Sequence, residues 1–84
     1  ENIDASLVVY PNPTNGIFSI DFNEDFTGSF AIYNYLGQQV QSIQSQKKIQ
    51  KYQFDLSGES SGIYFLVVYS ETEVNSKAYK IIKR

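Results

Sequence analysis

Four short stretches of this chain carry residue types and spacings that could do chemistry. Gly58-Glu59-Ser60-Ser61-Gly62 has the G-x-S-x-G spacing of a serine nucleophile. Such a serine sits on a sharp turn from strand into helix, and a histidine takes its proton. The 84 residues contain no histidine, and the apolar run 63–69 that follows Gly62 reads as a strand. The stretch is therefore expected to be a small-residue loop. Ser45-Gln46-Lys47-Lys48 spells S-x-x-K, but it falls at a polar hairpin tip, where hydration keeps a lysine protonated and useless as a base. Asp21, Asn23 and Asp25 have the spacing that opens a calcium loop, which needs glycine at its sixth position and glutamate at its twelfth. Phe26 and Ile32 stand there, so a solvated acidic turn is the better account. Asn12-Pro13-Thr14 has the outline of a glycosylation acceptor, and its central proline forbids one.

The composition points the same way. With neither histidine nor cysteine, the chain lacks the commonest general base, the commonest transition-metal ligand and any disulfide framework. No enzyme, metal site or cofactor is expected. A net charge of −2 argues against nucleic acid, whose phosphates need a basic face. No stretch approaches the roughly 20 apolar residues of a membrane span. No apolar run follows a basic start, so an export signal would have to lie on a longer precursor. At 84 residues the chain makes one small domain, expected as a monomer with little core to spare for an enclosed site.

The elements that must position any site read as strands. Residues 1–6 are polar and read as a linker, leaving residues 7–84 as the domain. Residues 7–10 form a short strand, halted by Pro11, Asn12, Pro13, Thr14 and the turn pair Asn15-Gly16. Residues 16–22 alternate, with Phe18, Ile20 and Phe22 on one face. An acidic turn is expected over 23–28, a strand over 29–35 and a break at Leu36-Gly37. Over 38–45 the odd spacing of Val40 and Ile43 predicts a bulge or bend. After the tip at 46–48, residues 49–56 return with Tyr52, Phe54 and Leu56 on one face. The loop 57–61 leads into the most apolar strand, 63–70, and residues 74–83 form a last strand whose lysines suit an edge. About seven short strands with regular turn signals predict an all-β, Ig-like Greek-key sandwich. In such a fold Tyr64, just after Gly62, is expected to send its hydroxyl back to the preceding corner, over Leu56.

The punctuation then resembles a family. Val9-Tyr10-Pro11-Asn12-Pro13-Thr14-Asn15-Gly16 is similar to the "YPNP…G" opening of the type A C-terminal sorting domains of the type IX (Por) secretion system of Bacteroidetes. Tyr33-Asn34-Tyr35-Leu36-Gly37-Gln38-Gln39-Val40 resembles its "Y-x-x-x-G-x-x-V". Leu56 with Gly62-Ile63-Tyr64-Phe65-Leu66-Val67 resembles its "L…G-x-Y-x-x-x-V". Lys77 and Lys80-Ile81-Ile82-Lys83 resemble its basic, β-branched ending. The landmarks occur in order over residues 7–84.

The resemblance implies a tag at the end of a larger secreted protein. The precursor would cross the periplasm, be taken by an outer-membrane translocon, and be cut upstream of the domain by a cysteine-protease-type sortase. The cargo would then be released or joined to lipopolysaccharide at the cell surface. The surface expected to be read is the proline loop (Pro11, Asn12, Pro13, Gly16) with the basic last strand (Lys77, Lys80, Lys83, Arg84), by strand addition or charge complementarity. Gly37, Leu56, Gly62 and Tyr64 are expected to be structural. Deleting the last few residues is expected to leave the domain folded and block export. Two other classes compete: a carbohydrate-binding module using Tyr33, Tyr35, Tyr52 and Tyr69 as a platform, and an inert spacer.

Overall fold

In the computed structural model, which describes residues 7–84, the chain forms five strands. These are β1 (Leu7–Tyr10), β2 (Ile17–Asn34), β3 (Gln39–Asp55), β4 (Gly62–Ser70) and β5 (Lys77–Lys83). Residues 1–6, expected to be a linker, lie outside the described residues. The architecture is the expected small antiparallel all-β sandwich, with no helix among the described residues. The strand count is five rather than about seven, because two expected connections stay inside strands. Residues 23–28 continue β2 and residues 46–48 continue β3. The last strand also starts later than expected, at Lys77 instead of residue 74.

β2 and β3 make one long hairpin that folds over at its middle. Pairing runs evenly from Ile17↔Asp55 to Asp21↔Lys51 and resumes at Phe26↔Ile49, so residues 22–25 face Gln50 alone. Surplus residues on one strand bend it and raise its twist. Phenylalanines at every fourth position fill the inside of that bend. The Phe22 and Phe26 rings stack 4.3 Å apart, and Phe26 meets Phe30 at 5.5 Å. Asn23, Glu24 and Asp25 stay in water outside. Gly28 makes room for the neighbouring strand and the Phe26 ring: a Cβ on it would lie 2.1 Å from the Tyr69 carbonyl oxygen and 2.6 Å from that ring. β3 makes up the difference through its own later register shifts, one beside Lys48, whose φ is +52°. Another isolates Val40 between Gln39 and Gln41, so that Val40 and Ile43 both reach the core despite their odd spacing.

β3 lines one side of β2 throughout. On the other side β1 pairs with the first half of β2 and β4 with the second half, and β5 extends the sheet beyond β4. One layer is thus β1, early β2 and late β3, and the other is early β3, late β2, β4 and β5. Phe18, Ile20 and Phe54 face Phe30, Ile32, Leu66, Val68 and Ile81 across the core. Phe54 meets Phe30 edge-on at 5.3 Å, a favoured aromatic geometry. Because the fold-over occupies one end, the start of β2, the end of β3, the 35–38 turn, the start of β4 and the end of β5 gather at the other.

Candidate recognition surface

After β1 the chain crosses from one layer to the other through Pro11 and Pro13, both preceded by cis peptide bonds. The crossing segment lands on β5. An edge strand presents unpaired N–H and C=O groups, and here Asn12 meets them as a peptide unit would. Its Nδ2 donates to the Lys80 carbonyl at 2.8 Å, and its Oδ1 accepts from the Ile82 amide at 2.9 Å. Thr14 continues the contact: its N–H donates to the Ile82 carbonyl at 2.8 Å, and the Arg84 N–H donates to the Thr14 carbonyl at 2.9 Å. This short bridge is parallel, in a sheet whose strand pairs are otherwise antiparallel.

Thr14 is 1% exposed, and its hydroxyl is satisfied, donating to the Ile17 carbonyl at 2.8 Å and accepting from the Gly16 amide at 3.0 Å. Gly16 is required on two counts. Its φ of +143° disfavours other residues, and a Cβ would sit 2.9 Å from the Ser57 Cα. Its carbonyl accepts from the Leu56 amide at 2.7 Å, joining the proline loop to the next corner.

That corner is the G-x-S-x-G stretch. Tyr64 is buried, and its hydroxyl donates to the Ser60 carbonyl at 2.6 Å. The serine therefore supplies a backbone acceptor to the corner. Leu56 is fully buried, and its carbonyl accepts from the Glu59 amide. The Asp55 carboxylate accepts from the Ser57 hydroxyl and amide, which holds its pKa below the ordinary carboxylate value. At the 35–38 turn, Asn34 Oδ1 accepts from the Leu36 and Gln38 amides, each at 3.0 Å, and Gly37 takes φ +85°. The turn holds Tyr35 and Leu36 out in solvent.

The structure brings most of the sequence-derived residues to this one end. Pro11, Asn12, Pro13 and Gly16 lie against Lys80, Lys83 and Arg84, with Gly37, Leu56, Gly62 and Tyr64 around them. Lys77 is apart: it pairs with Val68, towards the fold-over. The basic strand also carries core, since Ile81 is fully buried. A deletion reaching Ile81 therefore strips the core, whereas changes confined to Lys83 and Arg84 do not. Thr14 was not among the residues singled out from the sequence. Within Pro-Asn-Pro-Thr-Asn-Gly it has the look of a turn residue, and only its partners on β5 reveal its role.

Asp25 accepts from Gln50 Nε2 at 2.9 Å, and among the described residues no group of three or more acidic residues is placed to hold a metal ion. Two clefts lie by the fold-over, about 70 and 190 Å³ in volume and lined in part by Phe22, Phe26 and Glu73. Both fall below the roughly 300–1,000 Å³ of ordinary small-molecule sites. Of the four tyrosines considered as a platform, Tyr52 is packed against the core and the other three lie on or beside one outer face. Tyr52 packs on Phe30 and Phe54, Tyr35 stands on the turn, and Tyr33 and Tyr69 share the outer face of β2 and β4. Tyr10 lies beneath Lys51 Nζ, 6.0 Å from its ring centroid, and with Asp21 it holds that amine above its ordinary pKa.

Among the described residues no helix is long and apolar enough to cross a membrane. No curated protein matches the chain. A family model, that of the secretion system C-terminal sorting domain, matches residues 8–84. All four landmark motifs fall within that match, and the fold gathers them, Lys77 apart, at one end of the sandwich. The chain belongs to the family of secretion system C-terminal sorting domains, those of type IX secretion that its motifs resemble.

Proposed function

We propose that this domain is read as a folded, three-dimensional signal, and that the reading surface is the end where the proline loop clasps β5. The outer-membrane translocon of type IX secretion engages this end after the precursor has reached the periplasm. A cysteine-protease-type sortase then cuts upstream, and the domain acts as tag and substrate, with no catalytic part. The supporting observation is the double hydrogen bond of Asn12 to the β5 edge, continued by Thr14. It makes two landmarks about 70 residues apart in sequence into one surface, with Lys83 and Arg84 beside it. The same clasp narrows how a partner binds. Strand addition along residues 80–84 of β5 is blocked by the loop, so charge and shape at the loop, Lys83 and Arg84 are the features left to read.

The test is charge reversal. Lys83→Glu with Arg84→Glu leaves the Arg84 backbone bond to Thr14 available and removes the positive end of the signal. In a reporter fused to this domain, expressed in a type IX-competent strain, the double variant should keep its melting temperature and lose most surface delivery. Delivery equal to the parent at equal stability would overturn the assignment of the reading surface.

A further inference from the structure

β4 has the composition of a strand buried on both faces, yet only one face is covered. Tyr64, Leu66 and Val68 enter the core, while Ile63, Phe65 and Tyr69 point outward at 36–41% exposure, alongside Ile82 of β5 at 38%. A continuous apolar run is what a strand shows when both its faces are covered. The register builds these side chains into one patch. Ile63 lies beside Ile82, Phe65 between Tyr33 and Lys80, and Val67 between Ala31 and Ala78. Tyr33 and Tyr69 lie one row to either side of Ala31, where Tyr33 raises the Tyr69 pKa, and Ala31 is buried although it faces outward. Lys80 is the charged residue within these rows. At the end of the patch stand Tyr35 and Leu36 on their turn, 72% and 67% exposed.

Size and charge identify the occupant. With roughly 150–250 Å² for each large side chain, the sheet patch exposes about 300 Å² of apolar surface and the turn about as much again. The sum is at the upper bound of the largest apolar patch on an ordinary monomer, roughly 300–600 Å². It approaches the roughly 800 Å² that each partner gives to a standard protein–protein interface. The charge bordering the patch along β5 is positive, from Lys80 with Arg84 beyond it, while Glu71 and Glu73 lie by the fold-over.

We infer that the outer face of β4 and β5 is a second docking surface, taken by a protein face with an apolar centre and acidic residues opposite Lys80. The inference rests on the sorting-signal reading, since a tag that must be handed to machinery needs a broad contact as well as a reading end. Phe65 and Ile63 are its centre, Lys80 sets its register, and the turn with Tyr35 and Leu36 is its outer margin.

Phe65→Ser, Ile63→Ser and Lys80→Glu, each in the reporter fusion, test this. All three side chains point away from the core, but Phe65 and Ile63 are more than half covered, so their variants should melt several degrees lower while Lys80→Glu melts close to the parent. Delivery is compared at a temperature where circular dichroism shows every purified domain folded. Surface delivery should fall at least tenfold for Phe65→Ser and for Lys80→Glu. A photo-crosslinking residue at position 65 should capture a protein of the export machinery, and one at position 47, by the fold-over, should not. If the parent fusion itself is not delivered, the sorting reading fails. If the parent is delivered and the three variants match it, the docking face fails while the sorting reading stands. A purified parent that sediments as a dimer, with Phe65→Ser monomeric and delivered normally, would make a second copy the occupant and overturn the inference. So would normal delivery with loss of binding to the strain's isolated polysaccharide.

Discussion

Asn12→Ala is the most direct perturbation of the clasp. The side chain makes a bond of 2.8 Å to the Lys80 carbonyl and one of 2.9 Å from the Ile82 amide, both at the protein surface. A neutral hydrogen bond nets about 0.5–1.5 kcal/mol. Water can reach both β5 groups once the amide is gone, so no buried orphan adds to the cost. The loss should be about 1–2 kcal/mol, against a total stability of about 4–12 kcal/mol for a domain of this length. At about 4–8 °C per kcal/mol, the melting temperature should fall by about 5–15 °C. Thermal unfolding followed by circular dichroism measures this, and amide exchange gives the local readout. Exchange at Ile82 should accelerate more than at Leu66 in the core, because only Ile82 loses its acceptor. If Asn12→Ala melts within about 2 °C of the parent and Ile82 exchanges at the parent rate, the clasp contributes nothing and the reasoning is wrong.

Other positions give further checks. Gly28→Ala would push a Cβ into the Tyr69 carbonyl; since backbone must move, the cost should exceed the usual overpacking range of about 1–3 kcal/mol, and urea titration should show a large drop in midpoint or no folded state. Tyr64→Phe removes the bond to Ser60 while the ring stays; it should cost about 1 kcal/mol, seen as a melting temperature lower by about 4–8 °C, and an unchanged melt would mean that the hydroxyl does not tie the corner. Asp55 has a folded-state pKa held below its ordinary 3.8, so its contribution is present above that value and lost as pH falls through the depressed pKa. The stability difference between the parent and Asp55→Asn should be constant from neutral pH down to about pH 5 and shrink below pH 4.

Much of the fold could be read from particular residues. The alternation of Phe18, Ile20 and Phe22, and of Tyr52 and Phe54, placed the faces of early β2 and late β3 correctly. The odd spacing of Val40 and Ile43 marked a real bulge. The fold-over was misread for a physical reason. Asn23, Glu24 and Asp25 have turn chemistry, and a bent strand needs the same chemistry on its outer side; Gly28 also reads as turn, but it lies inside, where a Cβ has no room. The contrary signal was the evenly spaced row Phe22, Phe26, Phe30, which keeps one strand face running through the stretch and does not suit a turn. Gln46-Lys47-Lys48 likewise reads as a tip because an edge strand with a positive-φ bulge is as polar as one. Asn12 was singled out as a landmark, but its bonds to β5 cross about 70 residues, and no local pattern encodes them. Thr14 was hidden for the same reason. The outer face of β4 was visible as an unbroken apolar run, though only the layer order shows that half of it is left uncovered.

On the function proposed above, these 84 residues, with 7–84 folded as described, direct a protein out through type IX secretion. Residues 1–84 fused behind a periplasmically exported fluorescent protein, with surface fluorescence measured in a type IX-competent strain and in its translocon-deficient derivative, test it most directly. Fluorescence should reach the surface in the first strain and stay inside the cell in the second. Equal retention in both strains, or equal appearance outside both, would contradict the account.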